Sequence, residues 1–326
     1  MFQPTWRQIQ KTNYSSFPPL FDFLELSLED QAKIWTRPPF PLNLPARLAG
    51  KIKKNTLSDP ILRQFVSLIE EQETAFGSPE PLQDQKFRQT KKVLKKYTGR
   101  ALLLTTGACA MHCRFCFRQN FPYEREERQF DREIAYLKEN PTISEIILSG
   151  GDPLSLSDAT LSSLFEAFEN IPHIKRIRFH TRFPIGIPER IDSSFLSLLQ
   201  ASSKQIVFII HCNHPKEIDA DVAASLKKIQ ELTIPTLNQS VLLKGVNDDE
   251  KTLLTLSETL IDIGVIPYYL HLHDPVTRTG HFNVSEKRGM ELIRHLQENL
   301  SGYGVPRLVR EIPGRPSKTF IETLNI

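Results

Sequence analysis

From residue 97 onward the chain alternates between two hydrophobic rhythms. Short runs dense in aliphatic, aromatic and β-branched residues read as strands: RALLLTTG (100–107), EIILSGG (145–151), RIRFHTR (176–182), QIVFIIH (205–211), TLNQSVLL (236–243) and IPYYLHLH (266–273). Between and after them lie longer segments whose apolar residues recur every three or four positions: LSDATLSSLFEAFEN (156–170), PERIDSSFLSLLQ (188–200), KEIDADVAASLKKIQEL (216–232), DDEKTLLTLSETLIDIG (248–264) and VSEKRGMELIRHLQENL (284–300). These read as helices. Several open on Ser or Asp with acidic residues behind, which suits a helix N-terminus whose N–H groups lack partners. Six strand–helix repeats predict a parallel sheet, and their number fits a partial or full α/β barrel. In that architecture chemistry gathers where strands end, here at Gly107–Cys116, Ser149–Pro153, His180–Arg182, His211–His214, Gln239 and His271–Asp274.

Residues 1–96 follow a different pattern, with Pro-rich turns (SSFPPLF, TRPPFPLNLP) between short helical stretches. In DPILRQFVSLIEEQE, Ile61, Phe65, Leu68 and Ile69 recur at helical spacing behind the N-cap residue Asp59. The expected division is a helical cap over 1–96 and a barrel core over 97–326. The basic run KKVLKKYTGR (91–100) reads as a solvated face whose last residues turn inward.

Charge narrows the partner. With 41 Lys and Arg against 38 Asp and Glu, the net charge of +3 supplies no broad field for nucleic acid or an anionic membrane, so a small molecule is expected. No apolar run reaches transmembrane length, and MFQPTWRQIQ lacks the order of a signal peptide. A cytoplasmic protein is expected. In that reducing compartment the four cysteines suit metal ligation or chemistry rather than disulfides.

Three of them, Cys109, Cys113 and Cys116, form a CxxxCxxC loop directly after the first strand of the barrel repeat. Soft thiolates suit iron–sulfur clusters, zinc or copper(I). Structural zinc closes a four-ligand shell, and the remaining Cys212 stands far along the chain, where it reads as a packed thiol. A 4Fe–4S cluster held by three cysteines instead leaves one iron open to a small molecule, and Phe115 sits where an aromatic ring can shield it. The loop resembles that of the radical S-adenosylmethionine superfamily. That resemblance implies a partial (β/α)6 TIM-like barrel in which the open iron chelates S-adenosylmethionine and a reduced cluster cleaves it to a 5′-deoxyadenosyl radical. Gly150, Gly151 and Asp152 then resemble the superfamily's motif for the cofactor's amino group, although alone they read as a tight turn.

Over Tyr97 to Thr319 the chain resembles the lysine 2,3-aminomutase family, isomerases that also use pyridoxal 5′-phosphate. The likeness rests on CAMHCRFCFR, SGGDPL, HCNHPKEI, LNQSVLLKGVND, PYYLHLHDPVTRTGHF and GYGVPRLVREIPGRPSK. It implies that Lys318 is the Schiff-base lysine, that Arg118 grips the substrate carboxylate, and that Asp274 and Glu311 hold the side-chain ammonium of L-lysine. Read without it, Arg118 is a loop cation, Asp274 a turn residue before Pro275, and Glu311 and Lys318 surface charges. Tyr97 and Arg100 match contacts to the pyridoxal phosphate group, while His211, Asn213 and Gln239 match polar residues on the S-adenosylmethionine side. Glu311 departs from the family's usual aspartate.

The resemblance also implies an electron-donor protein as partner. Catabolic members carry a cysteine-rich C-terminal extension for zinc and a further cysteine after GVND, where this chain has Asp249, so no zinc is expected. The segment FPLNLPARLAGKIKKNTLSDPILRQ (40–64) resembles the branch that makes β-lysine for modification of elongation factor P. That implies a functional link to elongation factor P and its lysyltransferase without direct binding. The alternatives are a catabolic aminomutase, or a radical enzyme that consumes S-adenosylmethionine without pyridoxal phosphate.

Overall fold

Among the described residues nine strands join one sheet in chain order: β1 (Val93–Tyr97), β2 (Arg100–Thr106), β3 (Glu145–Gly150), β4 (Arg176–Thr181), β5 (Gln205–Ile210), β6 (Thr236–Leu242), β7 (Ile266–Leu272), β8 (Arg307–Arg310) and β9 (Thr319–Phe320). The structure, a computed structural model, describes residues 4–123 and 129–321. Strands β2 to β8 run parallel, and β1 and β9 add antiparallel edges. Helices Asp131–Glu139, Asp158–Glu169, Ser193–Gln200, Ala220–Gln230, Glu250–Asp262 and Glu286–Asn299 follow β2 to β7 in turn. This makes six βα units in a partial barrel. No helix among the described residues is long and apolar enough to cross a membrane.

The two faces of the sheet separate as the period-two geometry of strands demands. On the outer face Ile146 and Leu148 pair in register with Ile177 and Phe179, which pair with Ile206 and Phe208. They share one apolar cluster with helix residues Leu161, Phe165, Phe195 and Leu199, and the Phe179 ring lies 5.8 Å from Phe195 and 5.6 Å from Phe208. Inward-facing neighbours on the same strands, Ser149, Arg178, His180 and Ile209, line a cavity instead. Caps fix where the helices begin: the side chains of Ser157, Asp192, Asp219, Asp249 and Ser285 each accept an N–H three residues on. Each such cap stabilises its helix by about 1 kcal/mol.

All six predicted strands are present as β2 to β7, and the five predicted helices form with shorter bounds. The segment 188–200 divides into a 3-10 turn, Pro188–Arg190, and the helix Ser193–Gln200. The helix behind Asp59 stops at Phe65, because Val66 turns to extended backbone, and Ile69 is exposed rather than on the buried face. The basic run at 91–100 is not a solvated face. It forms β1 and the hairpin to β2, with Gly99 at φ 79° in the turn and Lys92, Val93 and Leu94 buried. Ahead of β1 the short helices contribute Trp6, Leu20, Leu48 and Phe65 to the apolar cluster that contains the outer face of the barrel.

Candidate active site

The cavity inside the barrel measures about 660 Å³, within the range of small-molecule sites, and its lining runs from strand starts such as Arg100 and Glu145 to strand ends such as Gly150 and His271. Cys109, Cys113 and Cys116 border it. Their loop is clamped from behind: His112 N–H donates to the carbonyl of Asn43 at 2.9 Å and Arg114 N–H to that of Gln64 at 2.8 Å. The buried Arg114 guanidinium forms a bidentate pair with buried Glu71 and donates to the Phe40 carbonyl at 2.6 Å. Arg114 is therefore committed to pairing behind the loop, while the thiols, with Ala110 and Met111, border the cavity. Burial raises all three thiols, with Cys116 pushed up to about 11 by burial and by Cys113 beside it. Ionised thiolates here need a cation, and three soft donors fit an iron–sulfur cluster.

Beside this loop, Gly150 has a φ of 123°, and a Cβ on Gly151 would stand 2.3 Å from the Ala108 carbonyl oxygen. Only glycines let β3 approach the cysteine loop so closely. Asp152 follows, but its carboxylate is spent on the Leu154 and Arg182 N–H groups and the Thr181 hydroxyl. Any contact to a ligand from this turn therefore falls to its backbone.

The remaining charged groups form an alternating line. Arg118 Nε donates to Asp84 at 2.8 Å, Lys96 Nζ bridges Asp84 at 2.7 Å and Glu311 at 2.9 Å, and Lys318 Nζ pairs with Glu311 at 2.7 Å. The last contact is a consequence of register: Val309 pairs with Phe320 and Arg310 with Thr319, so the next pair across the β8–β9 ladder is Glu311 with Lys318. Burial raises the Glu311 carboxyl, yet Lys318 and Lys96 outweigh it and hold Glu311 well below the usual range. Asp274, with no side-chain partner among the described residues, is pushed up to about 7 by burial and then by the Glu311 charge. The two acids are thus unequal, one saturated and one free.

Tyr97 and Arg100 line the cavity at its β1–β2 side, with the guanidinium 4.4 Å from the tyrosine ring centroid. His211 and Gln239 also line it. Asn213 does not: wholly buried behind His211, its side-chain oxygen accepts from Val241 N–H and its amide donates to Gln64. Asp84, Lys96, His180 and Arg182 join the site without having been assigned roles from sequence. Their signal was weak, since Asp84 and Lys96 sit in no motif and His180 and Arg182 appear only as polar strand-end residues.

Residues 103–256, just under half of the chain, match the radical SAM superfamily model. The chain is 40% identical over 322 residues to L-lysine 2,3-aminomutase of Haemophilus influenzae, covering 97% of this chain and 95% of that one. It is 42% identical over 284 residues to L-lysine 2,3-aminomutase of Escherichia coli, covering 86% and 83%. A third L-lysine 2,3-aminomutase, from Buchnera aphidicola, is 40% identical over 286 residues, covering 86% and 84%. The chain belongs to the L-lysine 2,3-aminomutase family, and it is an isomerase of the radical S-adenosylmethionine type.

Proposed function

We propose that this chain converts L-lysine to β-lysine by moving the 2-amino group to carbon 3. The observation that carries the reading is one cavity lined by Arg118, Asp274, Lys318 and the three thiols of the CxxxCxxC loop. Cys109, Cys113 and Cys116 would hold a 4Fe–4S cluster, Gly150 and Gly151 would admit S-adenosylmethionine, and Lys318 would anchor pyridoxal phosphate with Tyr97 and Arg100 at its phosphate. When bound, the cluster and S-adenosylmethionine supply a hydrogen-abstracting radical, and pyridoxal phosphate supplies the conjugated system through which nitrogen moves between neighbouring carbons.

The chain's own residues do the rest. Arg118 spends its Nε edge on Asp84 and keeps its cavity side for the α-carboxylate of lysine, a task suited to a planar donor. Asp274 is the free acceptor for the side-chain ammonium, with Glu311 beside it. Lys96 fixes Glu311 and Asp84, so the site meets lysine with one open carboxylate rather than three. His211 and Gln239 line the S-adenosylmethionine side, with Asn213 bracing His211 from behind. Residues 1–96 act as a cap that clamps the cysteine loop, and a reductant protein supplies the electron. The product serves the modification of elongation factor P, a reading supported by the likeness of residues 40–64 to that branch.

The raised carboxyl of Asp274 gives this reading a pH signature. A group shifted up to about 7 loses its anion as pH falls through that value, and only the anion accepts an ammonium. The KM for lysine is therefore expected to rise about tenfold between pH 8 and pH 6. Asp274→Asn is expected to flatten that slope, to raise KM at pH 8 by about tenfold or more, and to leave S-adenosylmethionine binding unchanged. Steady-state kinetics at several pH values checks it, and a mutant with the parent's KM at every pH would remove Asp274 from the substrate site.

A further inference from the structure

Arg182 stands at the end of β4, almost wholly buried, and the substrate account leaves it without a task. Its Nη1 donates to Cys113 Sγ at 2.8 Å, and its Nη2 donates to Gln64 Oε1 at 2.7 Å and Glu217 Oε2 at 2.8 Å. Phe65 and Phe115 cover the guanidinium at 4.8 and 5.5 Å. Its backbone N–H is tied to Asp152 at 2.7 Å. Glu217, with no solvent exposure, is fixed in turn: its other oxygen accepts from Gln64 Nε2 and from the N–H groups of Asn213 and His214 at 3.0 to 3.1 Å. Among the described residues no other side chain donates a hydrogen bond to any of the three thiols. One thiol of the set therefore carries a fixed cation, and that cation carries a fixed counter-charge.

We propose that Arg182, balanced by Glu217 and steered by Gln64, is a positioning residue that sets the reduction potential of the cluster held by Cys109, Cys113 and Cys116. The inference rests on the cluster reading above. Reduction adds one electron, and so one negative charge, to the cluster and its thiolates. A guanidinium donating to a ligating sulfur stabilises that reduced state, and the buried Glu217 carboxylate opposes it. Buried and ring-covered, both charges act with little screening. The Arg182 side chain also ties Cys113 to the N-terminal cap through Gln64, while its backbone N–H holds Asp152 of the neighbouring turn, so both meet at one residue.

The two charges predict opposite signs. The test is an electron-paramagnetic-resonance redox titration of the reconstituted holoprotein, with iron counted in every sample. Glu217→Gln keeps the shape and removes the counter-charge, so its midpoint is expected to move to more positive potential. Arg182→Gln is expected to move the midpoint to more negative potential, and Arg182→Lys to lie between it and the parent. A Glu217→Gln protein with the parent's iron content and an unchanged or more negative midpoint overturns the proposal, even where Arg182→Gln fails to fold. A parent that binds no iron overturns the cluster reading and this inference together, whereas normal iron with unmoved midpoints overturns this inference alone.

Discussion

A Lys318→Ala protein is expected to assemble its cluster and bind S-adenosylmethionine yet to lose β-lysine formation by more than about a thousandfold. Lys318 meets Glu311 at 2.7 Å and the Tyr269 ring at 6.0 Å, and among the described residues no hydrogen bond or ion pair joins it to the cysteine loop. Its removal leaves Glu311 paired with Lys96, so no buried carboxylate is orphaned and the fold is expected to survive. What disappears is the amine that can anchor and release an aldehyde cofactor, and with it the route for nitrogen between carbons. Borohydride treatment of the parent should fix pyridoxal phosphate to the peptide containing Lys318, and L-lysine should reduce that labelling. Lys96 is the rival within the same cavity, but it is held by two carboxylates where Lys318 is held by one. Label on Lys96 would refute the assignment, and so would a Lys318→Ala protein that loses its iron.

Replacing Cys113 with Ala should abolish both the cluster's visible absorbance and the cleavage of S-adenosylmethionine. Two thiols remain, Cys109 and Cys116, and no further cysteine can complete the set, because Cys212 is wholly buried and donates to the His214 carbonyl. The barrel itself should persist, since Arg182 keeps Gln64 and Glu217 when it loses the sulfur. Iron analysis with far-ultraviolet circular dichroism separates the two effects. Full iron in a folded mutant would sink the ligand assignment.

Much of this was legible in the sequence for a physical reason. Strands β2 to β7 are buried against helices on one face and line the cavity on the other, so their apolar runs are dense and their C-terminal ends are polar. The helices carry Ser or Asp caps that mark their first turns. The strands that escaped detection are short or set among charges: β1 lies among lysines, β8 is RLVR, and β9 has two residues. Helix Asp131–Glu139, largely charged, has few apolar residues to set a period. Within the site, residues in motifs could be named, including Cys109, Arg118 and Lys318. Lys96 could not, because a salt bridge to Glu311 across more than two hundred residues leaves no local pattern, and neither could Asp84, whose partner Arg118 lies 34 residues on. The inequality of Asp274 and Glu311 was hidden for the same reason.

Incubating the reconstituted protein without oxygen with L-lysine, S-adenosylmethionine, pyridoxal phosphate and a strong reductant, then resolving the amino acids by chiral chromatography, tests the central claim most directly. The account predicts β-lysine in many-fold excess over 5′-deoxyadenosine, because the hydrogen returns and S-adenosylmethionine is regenerated in each cycle. Stoichiometric 5′-deoxyadenosine with lysine recovered unchanged, in a sample with a full cluster, would contradict it.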